Sequence, residues 1–151
     1  MESAQHLHYL AYALNEARKA ESKNEVPVGA VIVQNGIIIG RGHNQKESSH
    51  DPTGHAELRA IRQAARKLRS WRLERCTLYS TLEPCPMCAG AILHARIEKV
   101  IFGAKDLKWG AAGTIIDLFS QPLFNHKTLT EYCASDACSS LLTSFFRKKR
   151  R

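Results

Sequence analysis

The chain has 151 residues, of which 44% are hydrophobic, and a formal net charge of +8. This length suits one domain of ordinary size, and we predict a single domain over residues 1–151. Its apolar runs are far shorter than the ~20 residues that a membrane-spanning helix needs. The first residues also lack the basic start and apolar stretch of a secretory signal. We therefore expect a cytoplasmic protein that does not enter a membrane.

The positive charge is concentrated in two segments. Residues 59–75 contain seven basic side chains and one acidic one, a net charge of +6, and residues 147–151 add +5. Such segments are typical of proteins that bind a polyanion such as RNA or DNA. They also fit two solvated helix faces, so charge alone leaves both interpretations open.

Hydrophobic spacing and turn residues predict an alternation of helices and strands. The predicted elements, in chain order, are a helix from Ser3 to about Ala20, strands Val28–Val33 and Ile37–Gly40, a polar loop Asn44–Gly54, a helix from His55 to Leu68, a strand Thr77–Thr81, a helix from Pro86 to Ala95, a strand Lys99–Phe102, a loop Gly103–Gly113, a short strand near Lys127–Thr130 and a helix from Ser135 to Arg147. The first two strands flank Asn-Gly, a strong hairpin signal, and the later strands alternate with helices. This order predicts an α/β fold with three α/β/α layers around a mixed sheet of about five strands.

Two short clusters contain side chains of the types that commonly bind metals. His55-Ala56-Glu57 begins one predicted helix, and Pro84-Cys85-Pro86-Met87-Cys88 begins the next. The chain has five cysteines, and an odd number with one Cys-x-x-Cys pair suits a metal in a reducing compartment better than a disulfide framework. Both helices should begin at the same end of the sheet, where open α/β sheets place their sites.

The spacing within these clusters predicts a catalytic zinc site. Cys85 and Cys88 are three residues apart, so they share a face of the helix start, where the helix dipole lowers thiol pKa values. Together with His55 they supply three ligands to a tetrahedral zinc and leave the fourth position open for water. A structural zinc would be closed by a fourth protein ligand, and a lone Cys-x-x-Cys also fits structural zinc or redox chemistry.

Glu57 is the candidate proton shuttle. Residues two apart on a regular helix point ~200° away from each other, so Glu57 and His55 can converge only if His55 lies at an irregular helix start. Pro52 and Gly54 supply such an irregularity just before it. We therefore predict that Glu57 stands beside the zinc-bound water without binding the metal.

Together the two clusters match the zinc deaminase signature H-x-E…P-C-x-x-C. With Pro27–Val31, Phe102–Asp106 and Asn125-His126, they make nearly the whole chain resemble the bacterial tRNA-specific adenosine deaminases, within the cytidine deaminase-like superfamily. The resemblance implies hydrolytic deamination of the wobble adenosine to inosine in a tRNA anticodon stem-loop. It also implies one Zn²⁺ per subunit, proton transfer by Glu57 and a homodimer.

The resemblance further implies a set of substrate-contacting residues. Asn44 would bind the flipped-out nucleotide, Val28 and Ala56 would line the base pocket, and the loop from Ala104 to Asp106 would border the RNA. Phe145 and the basic tail would lie near the anticodon loop. Each has a structural alternative: Asn44 could shape a loop, Asp106 could cap a turn, and Phe145 could anchor the last helix in the core.

Two other functions fit parts of this pattern. A sister deaminase could act on a free base or nucleotide, such as cytosine, guanine or deoxycytidylate, but it has no need for the two basic segments. A zinc-stabilised RNA-binding module without activity would have the charge but no use for a carboxylate beside the metal. Glu57 and the charge distribution are the features that separate the three hypotheses.

Overall fold

The computed structural model describes residues 2–149, and Met1, Arg150 and Arg151 lie outside the described residues. The elements in this range are α1 (Glu2–Ser22), β1 (Gly29–Gln34), β2 (Ile37–His43), α2 (Ala56–Leu68), β3 (Thr77–Ser80), α3 (Pro86–His94), β4 (Lys99–Phe102), a 3₁₀ helix (Leu118–Ser120), β5 (Leu129–Tyr132) and α4 (Asp136–Lys149). Across residues 2–149, every helix is too short or too polar to cross a membrane.

The five strands form one mixed sheet in the order β2-β1-β3-β4-β5. β1 pairs antiparallel with both β2 and β3, whereas β4 pairs parallel with β3 and β5. The predicted hairpin is confirmed, because Asn35 and Gly36 both have the positive φ angles, 52° and 75°, that a type I′ turn needs. The predicted combination of an antiparallel start and parallel later strands is confirmed as well.

Helices cover both faces of the sheet, as predicted. On one face, α1 packs Leu10 and Ala13 against Val31 and Ile101. On the other face, α2 and α3 pack against the alternate side chains of the same strands. The last helix, α4, contacts α1. The three-layer α/β/α architecture with a mixed five-stranded sheet is therefore confirmed.

Two glycines of β2 let α2 lie directly on the sheet. A Cβ atom at Gly40 would come within 2.4 Å of the Ala60 carbonyl oxygen, and one at Gly42 within 2.3 Å of the Ala56 carbonyl oxygen. Because only glycine tolerates such an approach, these positions fix the distance between β2 and the helix. Since α2 begins at Ala56, these glycines also fix the position of the preceding residue, His55, relative to the sheet.

Several predicted boundaries differ from the structure by one to three residues, most of all the end of β2, which lies at His43 rather than Gly40, and one element was not predicted. β5 begins at Leu129, two residues after the predicted start, and the 3₁₀ helix at Leu118–Ser120 lies in a segment for which we predicted no element. Most of β5 is exposed at the edge of the sheet, so its alternating pattern is weak. The 3₁₀ helix is held by Asp117, whose side chain accepts a hydrogen bond from the Phe119 N–H at 3.1 Å.

Candidate metal centre and substrate site

Both metal-binding clusters lie at one edge of the sheet. In the sheet register, Gly29 at the start of β1 is opposite His43 at the end of β2, and Ala30 is opposite Ser80 at the end of β3. The segments that leave β2 and β3 from this edge lead into α2 and α3. The N-termini of both helices therefore meet here, as predicted from the order of the elements.

His55 is the residue that caps α2, and its backbone is extended, with φ −91° and ψ 148°. It therefore stands outside the helical repeat, and its side chain does not have to follow the ~100° step that separates residues inside the helix. Glu57, in contrast, occupies the first turn. His55 thus lies at an irregular helix start, as the convergence of the two side chains would require.

Cys85 and Cys88 occupy the corresponding place in α3. Cys85 caps the helix with an extended backbone, Pro86 takes the first helical position, and Cys88 follows one turn later. Proline is suited to this position because its missing N–H is one that the helix leaves unpaired. Pro84 and Pro86 thus hold the first thiol at the helix start, where the dipole favours a thiolate.

The three predicted ligands come together. The His55 Nδ1 atom lies 3.6 Å from the Cys85 Sγ and 3.4 Å from the Cys88 Sγ, and the three ligand atoms are all within 4.8 Å of one another. A tetrahedral zinc with Zn–N of ~2.0 Å and Zn–S of ~2.3 Å separates nitrogen from sulfur by about 3.5 Å. The chemistry and spacing of these donors therefore fit a zinc ion.

The protonation pattern of the two thiols is asymmetric. The hydrogen bond between the two cysteine side chains lowers the pKa of Cys85 to about 4, and His55 adds to this effect. The same hydrogen bond and burial raise the pKa of Cys88. Hydrogen bonding to Cys85 in turn raises the pKa of His55. The neighbouring donors therefore favour the thiolate form of Cys85 over that of Cys88.

Glu57 is buried, with only 4% of its surface exposed. This burial raises the pKa of its carboxyl group to about 7, and its side chain also interacts with that of Cys88. A carboxyl group with such a pKa can both accept and donate a proton near neutral pH. Glu57 is thus a buried carboxyl group next to the candidate metal ligands, with a pKa that suits proton transfer.

Comparison with known proteins identifies the family. The chain matches the MafB19-like deaminase family over residues 4–150. A tRNA-specific adenosine deaminase of Bacillus subtilis (strain 168) is 48% identical over 144 residues, which cover 95% of this chain and 89% of the relative. This chain belongs to the tRNA-specific adenosine deaminase family.

Two solved structures are similar to this deaminase. One comes from biochemical and structural studies of A-to-I editing by tRNA:A34 deaminases at the wobble position of transfer RNA. It has a TM-score of 0.85 and 42% identity, with 90% of this chain and 99% of that chain covered. The other, guanine deaminase from Bacillus subtilis, has a TM-score of 0.63 and 30% identity, with 97% and 94% covered.

Three of the predicted substrate residues line the same edge of the deaminase. Val28 and Ala56 are both buried, at 4% and 0% exposure. Asn44 is half-buried, and its Oδ1 accepts a hydrogen bond from the Ala56 N–H at 2.9 Å. Asn44 thus satisfies one of the free N–H groups at the start of α2 and positions its amide beside His55.

The other three predicted substrate residues lie on two separate elements. Ala104 is buried, whereas Asp106 is half-buried and its Oδ1 accepts hydrogen bonds from the N–H groups of Lys108 and Trp109. Phe145 on α4 is only 7% exposed, while its neighbour Phe146 is 45% exposed. Asp106 therefore does cap a turn, and Phe145 is the more buried of the two rings. Their contacts with substrate remain predictions.

Glu83 is a structural residue of the site that the sequence analysis did not single out. Its side chain is buried, and its carboxylate accepts hydrogen bonds from the N–H groups of Asp106, Ala112 and Thr114 and from the Thr114 hydroxyl at 2.5 Å. These partners lie 23 to 31 residues further along the chain. In the sequence, this role is indicated only by the position of the Glu83 carboxylate, two residues before Cys85.

Glu25 has a similar role for the other loop of the site. It is 2% exposed and accepts hydrogen bonds from the N–H groups of Glu47 at 3.1 Å and Ser48 at 2.6 Å. Burial acts to raise the pKa of Glu25, but these hydrogen bonds outweigh it and the pKa is lowered. The loop between Asn44 and His55 is therefore tied to the end of α1 by an ionised carboxylate.

Proposed function

We propose that this deaminase converts the wobble adenosine of a tRNA anticodon loop to inosine by hydrolysis, using one Zn²⁺ per subunit. The observation that carries the proposal is a buried carboxylate, Glu57, next to His55, Cys85 and Cys88, which fit zinc by chemistry and spacing. A zinc-stabilised module without activity would have no use for this acid. A zinc ion held by three protein ligands supplies activation of water near neutral pH.

The residues of the chain would handle the protons of the reaction. Water adds to C6 of adenine and ammonia leaves, so a proton must move from the water to the ring nitrogen and another to the leaving amino group. Glu57 is placed to accept the first proton and to return it. Its burial keeps bulk water from competing for these transfers.

RNA is the proposed substrate rather than a free base. The guanine deaminase from Bacillus subtilis has the same overall fold, so the architecture does not select the substrate. The 48% identical relative is a tRNA-specific adenosine deaminase, and the chain concentrates its positive charge in residues 59–75 and 147–151. A free base would not need this charge, whereas the phosphates of RNA would use it.

The substrate contacts remain as predicted from the sequence. We propose that the amide of Asn44 holds the flipped-out nucleotide, with Val28 and Ala56 forming the walls of the base pocket. The loop from Ala104 to Asp106 would border the RNA, and Phe145 and the basic tail would lie near the anticodon loop. A single-stranded loop suits such a site, because its bases can be splayed out of the stack.

We also propose that the single domain works as a homodimer in the cytoplasm. Several large apolar side chains are exposed where α3 and the loop after β4 meet, and such surfaces often mark subunit contacts. This set consists of Met87, Leu107, Trp109, Ile115 and Ile116. The five cysteines, all within the described residues, are free, which fits a reducing compartment.

The purified protein should form inosine in an anticodon stem-loop RNA and leave free adenosine and free guanine nearly unchanged. The reason is that binding energy from the RNA backbone is available only to the stem-loop. Mass spectrometry of the three reactions measures this directly, and a stem-loop with guanosine at the target position serves as the control. Equal turnover of a free base would overturn the RNA assignment.

A further inference from the structure

One face of α2 carries a row of arginines, Arg59, Arg62, Arg66 and Arg69, which we call the arginine stripe. At ~100° per residue, the directions of Arg59, Arg62 and Arg66 around the helix axis differ by no more than ~60°, and Arg69 is the residue that ends the helix. Arg62 and Arg66 lie away from Ala60, which packs against the sheet, whereas the Cβ of Arg59 lies next to Gly42 of β2. Arg59 is half-buried and the other three are exposed.

The stripe is not neutralised by acidic neighbours. Among residues 2–149, none of its four guanidinium groups forms an ion pair with a carboxylate. Its first members lie near the loop before His55, because Arg62 and Arg59 both contribute to the lowered pKa of Asp51, after the larger effect of hydrogen bonds from Thr53. The stripe therefore starts at the rim of the site and keeps its positive charge.

The far end of the stripe leads to an exposed aromatic ring. Arg69 adopts the left-handed conformation, with φ 53°, and ends the helix. Two residues later, Trp71 is 59% exposed, with the Cζ atoms of Arg72 and Arg96 at 4.7 and 5.6 Å from its ring. Exposed aromatic rings interleaved with arginines are typical of surfaces that bind nucleic-acid strands.

We propose that the arginine stripe binds the phosphates of the RNA strand that leads away from the target nucleotide. This inference rests on the proposed function. The distance from Arg59 to Arg66 along the helix is about 10 Å, so the stripe can contact successive phosphates of one strand. RNA is favoured over an acidic protein because the stripe lies on α2, the helix that His55 caps. An RNA whose target nucleotide occupies the site could therefore extend its strand along the stripe.

A paired set of double variants tests this inference. Arg66→Gln with Arg69→Gln removes two charges from the stripe, far from the metal ligands. The control, Arg18→Gln with Arg41→Gln, removes two exposed charges on the α1 side, where Arg41 stacks on Tyr12. Binding of a labelled anticodon stem-loop, and of a short RNA that holds only the target and its direct neighbours, is measured across a series of salt concentrations.

The stripe variant should bind the stem-loop about tenfold more weakly than the control does, and its salt slope should fall by about 2. The loss should be smaller for the short RNA, which does not reach the stripe. Equal affinities of both double variants for the stem-loop would overturn the inference, and so would an equal loss for both RNAs. If the unmodified protein neither binds nor deaminates the stem-loop, the proposed function itself has failed. If it does both while the stripe variant matches the control, only the stripe inference has failed.

Discussion

The Glu57→Gln variant is expected to deaminate the stem-loop about 10³-fold more slowly than the unmodified protein, within the ~10²–10⁴-fold range of proton transfer by a positioned side chain. The amide of glutamine is nearly isosteric with the carboxyl group but cannot take up the proton that water loses. Because Glu57 is not among the three clustered ligand atoms, the zinc content of the variant should stay at one per chain. Single-turnover rates and elemental analysis on the same sample measure both quantities.

Glu16→Gln provides a matched control. Glu16 is also a glutamate with 4% exposure, but it lies on α1 and pairs with Lys19 at 2.6 Å. We expect it to change the rate by no more than a few-fold, so that a large loss in Glu57→Gln reflects the site rather than the burial of an amide. A near-normal rate in Glu57→Gln would show that another group moves the proton.

The second large effect is expected for the Glu83→Ala variant, whose free energy of unfolding should fall by about 3 kcal/mol. The substitution removes the acceptor for four donors, and each donor left buried without a partner costs roughly 1–3 kcal/mol, part of which water recovers once the loop opens. For a domain of this size, the midpoint of thermal unfolding should fall by about 6–12 °C. The loop that carries Asp106 should loosen most, because the Glu83 carboxylate accepts hydrogen bonds from three of its backbone N–H groups.

Two measurements separate the effect on the loop from a general loss of packing. Thermal unfolding of Thr114→Val, which deletes only the hydroxyl donor, should show a loss of about 1 kcal/mol. Limited trypsin digestion should cleave after the exposed Lys105 and Lys108 faster in Glu83→Ala than in the unmodified protein. Unchanged unfolding and unchanged cleavage in Glu83→Ala would refute the role given to this carboxylate.

The fold was predictable where local signals are strong. Asn35-Gly36 specifies its hairpin turn through backbone conformations that few residues adopt. The starts of α2 and α3 could also be predicted, because a proline or an irregular segment precedes each cluster of candidate metal ligands. The metal ligands and Glu57 could be chosen from the sequence for a chemical reason, since few residue types can hold zinc or shuttle protons at this spacing.

The remaining features depend on contacts between distant parts of the chain. The loop after β4 is held by hydrogen bonds to Glu83, which lies more than 20 residues earlier in the chain. The sequence of the loop does not indicate this partner. β5 is mostly exposed, so its hydrophobic pattern could not place its start to within two residues. The choice between Phe145 and Phe146 as the buried ring depends on how α4 packs, which its sequence alone does not set.

X-ray absorption at the zinc edge of the purified protein tests the central claim most directly. The account predicts one zinc per chain, coordinated by two sulfur atoms at ~2.3 Å, one imidazole nitrogen at ~2.0 Å and one oxygen from solvent. A protein without zinc, or a zinc closed by a fourth protein ligand, would contradict a hydrolytic site built on His55, Cys85 and Cys88.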